Sequence, residues 1–123
     1  MSKTIMTADD SASMRQMIRI TLLRGGFQVI EAPDGARAAE LLRQEQVDLL
    51  ITDLNMPGVD GIGLIKIVRS MPRYRFLPIL MLTTENLQNK KDEGKQAGAS
   101  GWIVKPFQTE QLIKAVQRLL PGA

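Results

Sequence analysis

The run VDLLITDLNMPG at residues 47–58 decides the architecture. Its first six residues are nearly continuous in apolar side chains, the composition of a strand covered on both faces rather than one half in water. An acid follows, and then Asn55, Pro57 and Gly58, which is turn chemistry at the carboxyl end of that strand. Residues 78–83, PILMLT, repeat the strand pattern. Working outward from this pair, further β-rich apolar runs lie at 3–8, 27–32 and 101–104, and each run is followed by a segment with helical spacing. The alternation predicts a parallel sheet with crossover helices, with the third and fourth runs at its centre.

The helical segments read as follows. Met14, Met17, Ile18, Ile20 and Leu22 form the first stripe, which stops at Gly25-Gly26, a left-handed C-terminal signal. Pro33-Asp34-Gly35 opens an Ala-rich helix running to about Glu45. The third spans 61–70, with Ile62, Leu64, Ile65, Ile67 and Val68, and Met71-Pro72 breaks it. The last, from about Thr109 to Leu120, takes Thr109 as its N-cap and carries Leu112, Ile113, Val116, Leu119 and Leu120 on one face. The fourth, 86–97, differs: Leu87 and Ala97 are its clear apolar members and Gly94 sits inside it, so it is expected to be the least firmly docked. Five β/α units fill the 123 residues, so one domain over 1–123 with no output domain is expected.

Composition removes whole chemistries. With no Cys and no His there is no disulfide framework, no Cys or His metal site, no His-assisted nucleophile and no phosphohistidine. No apolar stretch approaches the roughly 18 residues needed to span a bilayer and no leader pattern begins the chain, so a cytoplasmic protein without membrane contact is expected. Sixteen Lys and Arg against 13 Asp and Glu leave a net charge of +3, too weak a bias to argue for nucleic acid. Lys90, Lys91 and Lys95 do cluster on the fourth helical segment, but no stacking aromatics accompany them, and a solvated or acid-binding face is the better reading.

In open α/β sheets ligands bind beyond the carboxyl ends of the strands, where the strand order reverses. Asp9 and Asp10 follow strand one, Asp53 ends strand three, Thr83 ends strand four, and Lys105 ends strand five before Pro106. With the flavodoxin-like order 2-1-3-4-5, strands one and three are neighbours and three carboxylates meet. They repel unless a cation neutralises them, and oxygen-only ligands completed by water and a phosphoryl oxygen suit Mg²⁺. Asp53 could then attack a phosphoryl group in line, with Lys105 and the Thr83 hydroxyl stabilising its oxygens. Singly, each residue has a plainer reading: Asp10 or Ser11 as a helix cap, Asp53 as a turn former, Thr83 as a strand residue, Lys105 as a solvated charge. Their joint placement at the strand ends favours the site.

The stretches TADDSASMR, DLLITDLNMPGVDGIGLI, PILMLTTE and AGASGWIVKPF together resemble the receiver domain of bacterial two-component response regulators, in its single-domain, CheY-type chemotaxis form. The resemblance covers essentially the entire chain. It implies that Asp53 is the phosphoacceptor, that Asp10 ligates Mg²⁺ directly and Asp9 through water, and that Asn55 contributes its backbone carbonyl. Thr83 and Lys105 match the residues that contact the phosphoryl group, and Lys105-Pro106 matches a cis peptide. Trp102 occupies the aromatic switch position, usually Tyr or Phe, that turns inward as Thr83 moves. Asn55 and Glu85 match positions that tune phosphoryl lifetime. Trp102 is bulkier than Tyr and has a donor but no acceptor, Thr84 stands where Ala is common, and Leu54 follows the phosphoacceptor where some chemotaxis members carry Trp.

The implied function is a phosphorylation-controlled binding switch, not an enzyme beyond its own phosphoryl transfer and autodephosphorylation. A CheA-type histidine kinase is the expected donor, a phosphatase the expected antagonist, and the flagellar motor switch the expected target of a monomer. The fourth helix, fifth strand and fifth helix are the expected output surface. A phosphoryl sink or phosphorelay intermediate that binds no motor is the alternative within the family. A small-molecule phosphohydrolase of the Asp-x-Asp kind would need an acid where Asn55 stands, and a flavin-phosphate loop would not carry Asp9 and Asp10.

Overall fold

Every residue of the two apolar runs' strands, Leu49–Asp53 and Ile79–Thr83, is buried, which requires helices on both faces of the sheet. The computed structural model describes residues 2–84 and 88–121. Its strands are β1 (Thr4–Ala8), β2 (Gln28–Ala32), β3 (Leu49–Asp53), β4 (Ile79–Thr83) and β5 (Gly101–Val104). They alternate with α1 (Ala12–Arg24), α2 (Gly35–Gln44), α3 (Gly61–Arg69), α4 (Gln88–Ala97) and α5 (Thr109–Leu119). All strand pairs are parallel, in the order β2-β1-β3-β4-β5. This is the predicted sheet, and β1 and β3 are neighbours in it.

Strand periodicity sends alternate residues of β3 and β4 to opposite faces. Leu50, Ile79 and Met81 join Ala38, Leu42, Leu64, Ile65 and Val68 beneath α2 and α3. Leu49, Ile51, Leu80 and Leu82 join Ile18, Leu22, Leu112 and Val116 beneath α1 and α5. No helix among the described residues is long and apolar enough to cross a membrane.

Several local expectations are corrected. Thr109 is the first residue of α5 rather than its N-cap: Gln108 has the extended backbone of a cap and makes no side-chain capping bond. Glu110 in the first turn meets the exposed N–H groups electrostatically instead. Ile20 lies off the buried stripe of α1 and is exposed, because 14, 18 and 22 share a face at helical spacing and 20 does not. The break at Pro72 is a 3₁₀ turn, Pro72–Tyr74. Helix α1 is capped by Ser11, whose Oγ accepts from Met14 N at 3.2 Å. Asp34 and Asp60 cap α2 and α3 in the same way. The left-handed residue after α1 is Gly26, with φ of 89°. The start of the fourth helical segment, including Leu87, and the lifetime-tuning position Glu85 lie outside the described residues.

Candidate functional site

At the carboxyl edge of the sheet, the backbone ladder continues just past the strands and positions the polar side chains. Asp9 N donates to Ala32 O at 3.2 Å, Leu54 N to Leu82 O at 2.9 Å and Lys105 N to Thr83 O at 2.8 Å. Asp9, Asp53 and Lys105 are thereby held by the sheet itself, not by mobile loops. Helix α3 closes the floor beneath β3. Gly61 N donates to Leu54 O at 2.9 Å, and a Cβ at Gly61 would collide with the Asp53 carbonyl and stand 2.9 Å from Leu54 Cα. Glycine is needed there because two backbones meet.

Each of Asp9, Asp10 and Asp53 offers a carboxylate oxygen, and these atoms lie within 4.8 Å of one another. Asp9 and Asp53 are buried while Asp10 faces solvent. The Asp9 Oδ1 accepts from Ser11 N at 2.9 Å, which tethers that carboxylate to the start of α1. The Lys105 ammonium stands 3.4 Å from Asp9 Oδ2 and 3.3 Å from Asp53 Oδ1, so one cation spans two acids. Burial pushes the Asp53 carboxyl above its ordinary pKa; Lys105 pulls it back, and Asp9 and Asp10 add to the rise. Carboxylate oxygens converging at this spacing form a donor set suited to a hard divalent cation.

The remaining predicted residues are placed as follows. Thr83 is fully buried at the end of β4, paired in register with Val104. Thr84 and the Asn55 side chain are exposed, and Leu54 is buried. The Lys105-Pro106 peptide is cis. Trp102 sits on β5, partly buried, opposite Met81. Arg15 was not foreseen from sequence: its Nη1 donates to the Asp9 carbonyl at 2.6 Å and its Nε lies 3.8 Å from Glu31. Nothing local marks it, since a helix arginine reaching back to a strand end is indistinguishable in sequence from a solvated one.

Comparison with known proteins decides the family. A family model of the response regulator receiver domain matches residues 5–117. The chain belongs to the response regulator receiver domains. This receiver domain is 39% identical over 116 residues to the chemotaxis protein CheY of Pseudomonas aeruginosa, covering 94% of each chain. The solved structure of the Vibrio cholerae chemotaxis protein CheY4 matches it with a TM-score of 0.94 at 44% identity, over 97% of this chain and 99% of that one. The receiver domain of a sensor histidine kinase from P. aeruginosa PAO1 matches with a TM-score of 0.90 at 26% identity, over 98% of both chains. That relative holds a magnesium ion coordinated in its active-site cleft.

Proposed function

We propose that this receiver domain is a phosphorylation-activated switch of a chemotaxis-type two-component system, accepting a phosphoryl group on Asp53 from a histidine kinase. The observation that carries the reading is the acidic cluster bridged by Lys105, whose ammonium lies within 3.4 Å of Asp9 and 3.3 Å of Asp53. Asp9, Asp10, Asp53 and the Asn55 carbonyl would hold Mg²⁺, which when bound supplies charge neutralisation to the transferring phosphoryl oxygens. The Asp53 carboxylate is the nucleophile: its oxygen bonds phosphorus as the P–N bond of the donor phosphohistidine breaks, and the imidazole leaves with the electron pair. Lys105 is the fixed cation for one phosphoryl oxygen and the Thr83 hydroxyl the donor to another.

The product carries roughly −2 charge where a carboxylate stood. Drawing Thr83 toward it and turning Trp102 inward would change the face formed by α4, β5 and α5, which then binds the target. A flagellar motor switch is the proposed target, a phosphatase the antagonist and the cytoplasm the compartment, with no catalytic turnover beyond self-phosphorylation and autodephosphorylation.

Incubation with Mg²⁺ and a small phosphodonor should add one phosphoryl mass to the wild type and none to Asp53→Asn. Modification that persists in the variant, or never appears in the parent, overturns the assignment. Pull-down with and without beryllofluoride then tests the output, and equal capture in both states would sink the switch.

A further inference from the structure

Helix α4 is attached to the sheet unlike its neighbours. Its sequence, QNKKDEGKQA, has no large apolar side chain, and its buried residue is Gly94. Across from it, Trp102 lays the six-membered ring of its indole against the helix backbone. A Cβ built on Gly94 would stand 2.8 Å from Cζ3, 3.6 Å from Cε3 and 3.8 Å from Cη2. Carbon atoms in good contact keep about 3.5–4.0 Å apart, so a side chain at 94 and the indole in this position exclude each other. The same indole has Nε1 buried with no hydrogen-bond partner among the described residues. Beside it lies a cavity of about 260 Å³ lined by Gln88, Lys91, Lys95, Ser100 and Gly101 among others. The ring therefore occupies a place that suits its carbon skeleton and not its N–H, with room alongside.

We infer that Gly94 is a positioning residue: its missing side chain makes the socket in which the Trp102 indole sits, and the seated indole fixes α4 on the sheet in place of an apolar helix stripe. The socket has a built-in alternative, because the N–H gains an acceptor by leaving it. Residue 94 thus sets the balance between a seated and a released ring. The consequence for signalling, that this balance governs how readily the α4–β5 face responds to Asp53, rests on the function proposed above; the socket itself does not.

The test uses the chain's single tryptophan as its reporter. In an ordinary helix interior, Gly→Ala should raise Tm by about 4 °C. Gly94→Ala should instead red-shift the Trp102 emission, increase its quenching by iodide, speed amide exchange across α4 and leave Tm unchanged or lower. Unchanged emission with a raised Tm overturns the proposal. In a Trp102→Leu background the socket has no ring to eject, so the same Gly94→Ala change should now raise Tm by about that 4 °C. Equal Tm effects in both backgrounds also overturn it. With beryllofluoride and Mg²⁺ added, the emission shift of Gly94→Ala should differ in size from that of wild type, and equal shifts overturn the coupling. No shift in either protein refutes the movement of Trp102 on activation, which the phosphoryl mass on Asp53 tests separately, while the metal-free comparison still decides the socket.

Discussion

Lys105 and Asp53 show how much of the pocket depends on single charges. The Lys105 side chain is 13% exposed and neighbours two acids, so replacing it leaves buried carboxylates without their counter-charge. Lys105→Met should lose roughly 3 kcal/mol of stability at pH 7 without metal, the cost of breaking a buried pair from one side. Urea unfolding in EDTA checks this, and a variant as stable as wild type would show the pair to be inert. Asp53 makes the opposite contribution. Its pKa is raised by burial, so the native state binds its proton more tightly than the unfolded chain does. Ionised Asp53 is therefore a penalty on folding that is fully present above its folded pKa and is relieved as pH falls through that value toward the unfolded one near ~3.9. Asp53→Asn, neutral throughout, should be more stable than wild type at pH 7 in EDTA. The gap should close on acidification, and a gap that widens contradicts the assignment.

Among the elements, α4 and its surroundings carry the strongest local consequence. Arg69, at the end of α3, donates Nη1 to Tyr74 O at 3.0 Å and Nη2 to Gly98 O at 2.7 Å. It thereby ties the α3–β4 turn to the carboxyl end of α4, where Gly98 adopts φ of 119° and its missing side chain leaves room for the arginine. Arg69→Ala should cost about 2–3 kcal/mol, two charge-assisted bonds to carbonyls less their rehydration. Hydrogen exchange should rise selectively in the two turns, and uniform loss of protection would argue against a local clasp. The stripes of α3 and α5 and the cap at Ser11 are legible in sequence because capping and periodicity act within a few residues. Thr109 misleads for the same reason in reverse: a hydroxyl at a helix start is a cap only if its own backbone stays extended, and here Gln108 holds that place.

At the scale of the molecule, the fold gathers like charges and leaves a cation to reconcile them. Asp9, Asp10 and Asp53 come from the ends of two adjacent strands, so folding brings their repulsion with it. Mg²⁺ should stabilise the native state over the unfolded chain, by about 2.7 kcal/mol at one hundred times its dissociation constant. Thermal unfolding across a Mg²⁺ titration reads this. Asp10→Ala should flatten the response, and an undiminished shift in that variant would place the ion elsewhere.

The alternation of apolar runs with helical stripes, the turn after Asp53 and the placement of acids at strand ends are determined by the sequence alone, because each follows from local periodicity and turn composition. Other features are settled by tertiary structure. Lys105 meets Asp9 across 96 residues, Arg15 finds the Asp9 carbonyl, and Arg69 finds Gly98. Gly94 looks in sequence like a weak point in a weak helix, and becomes the seat of the lone tryptophan once β5 lies beside it. Such contacts turn on ångström distances between residues far apart in the chain, which local propensities do not encode.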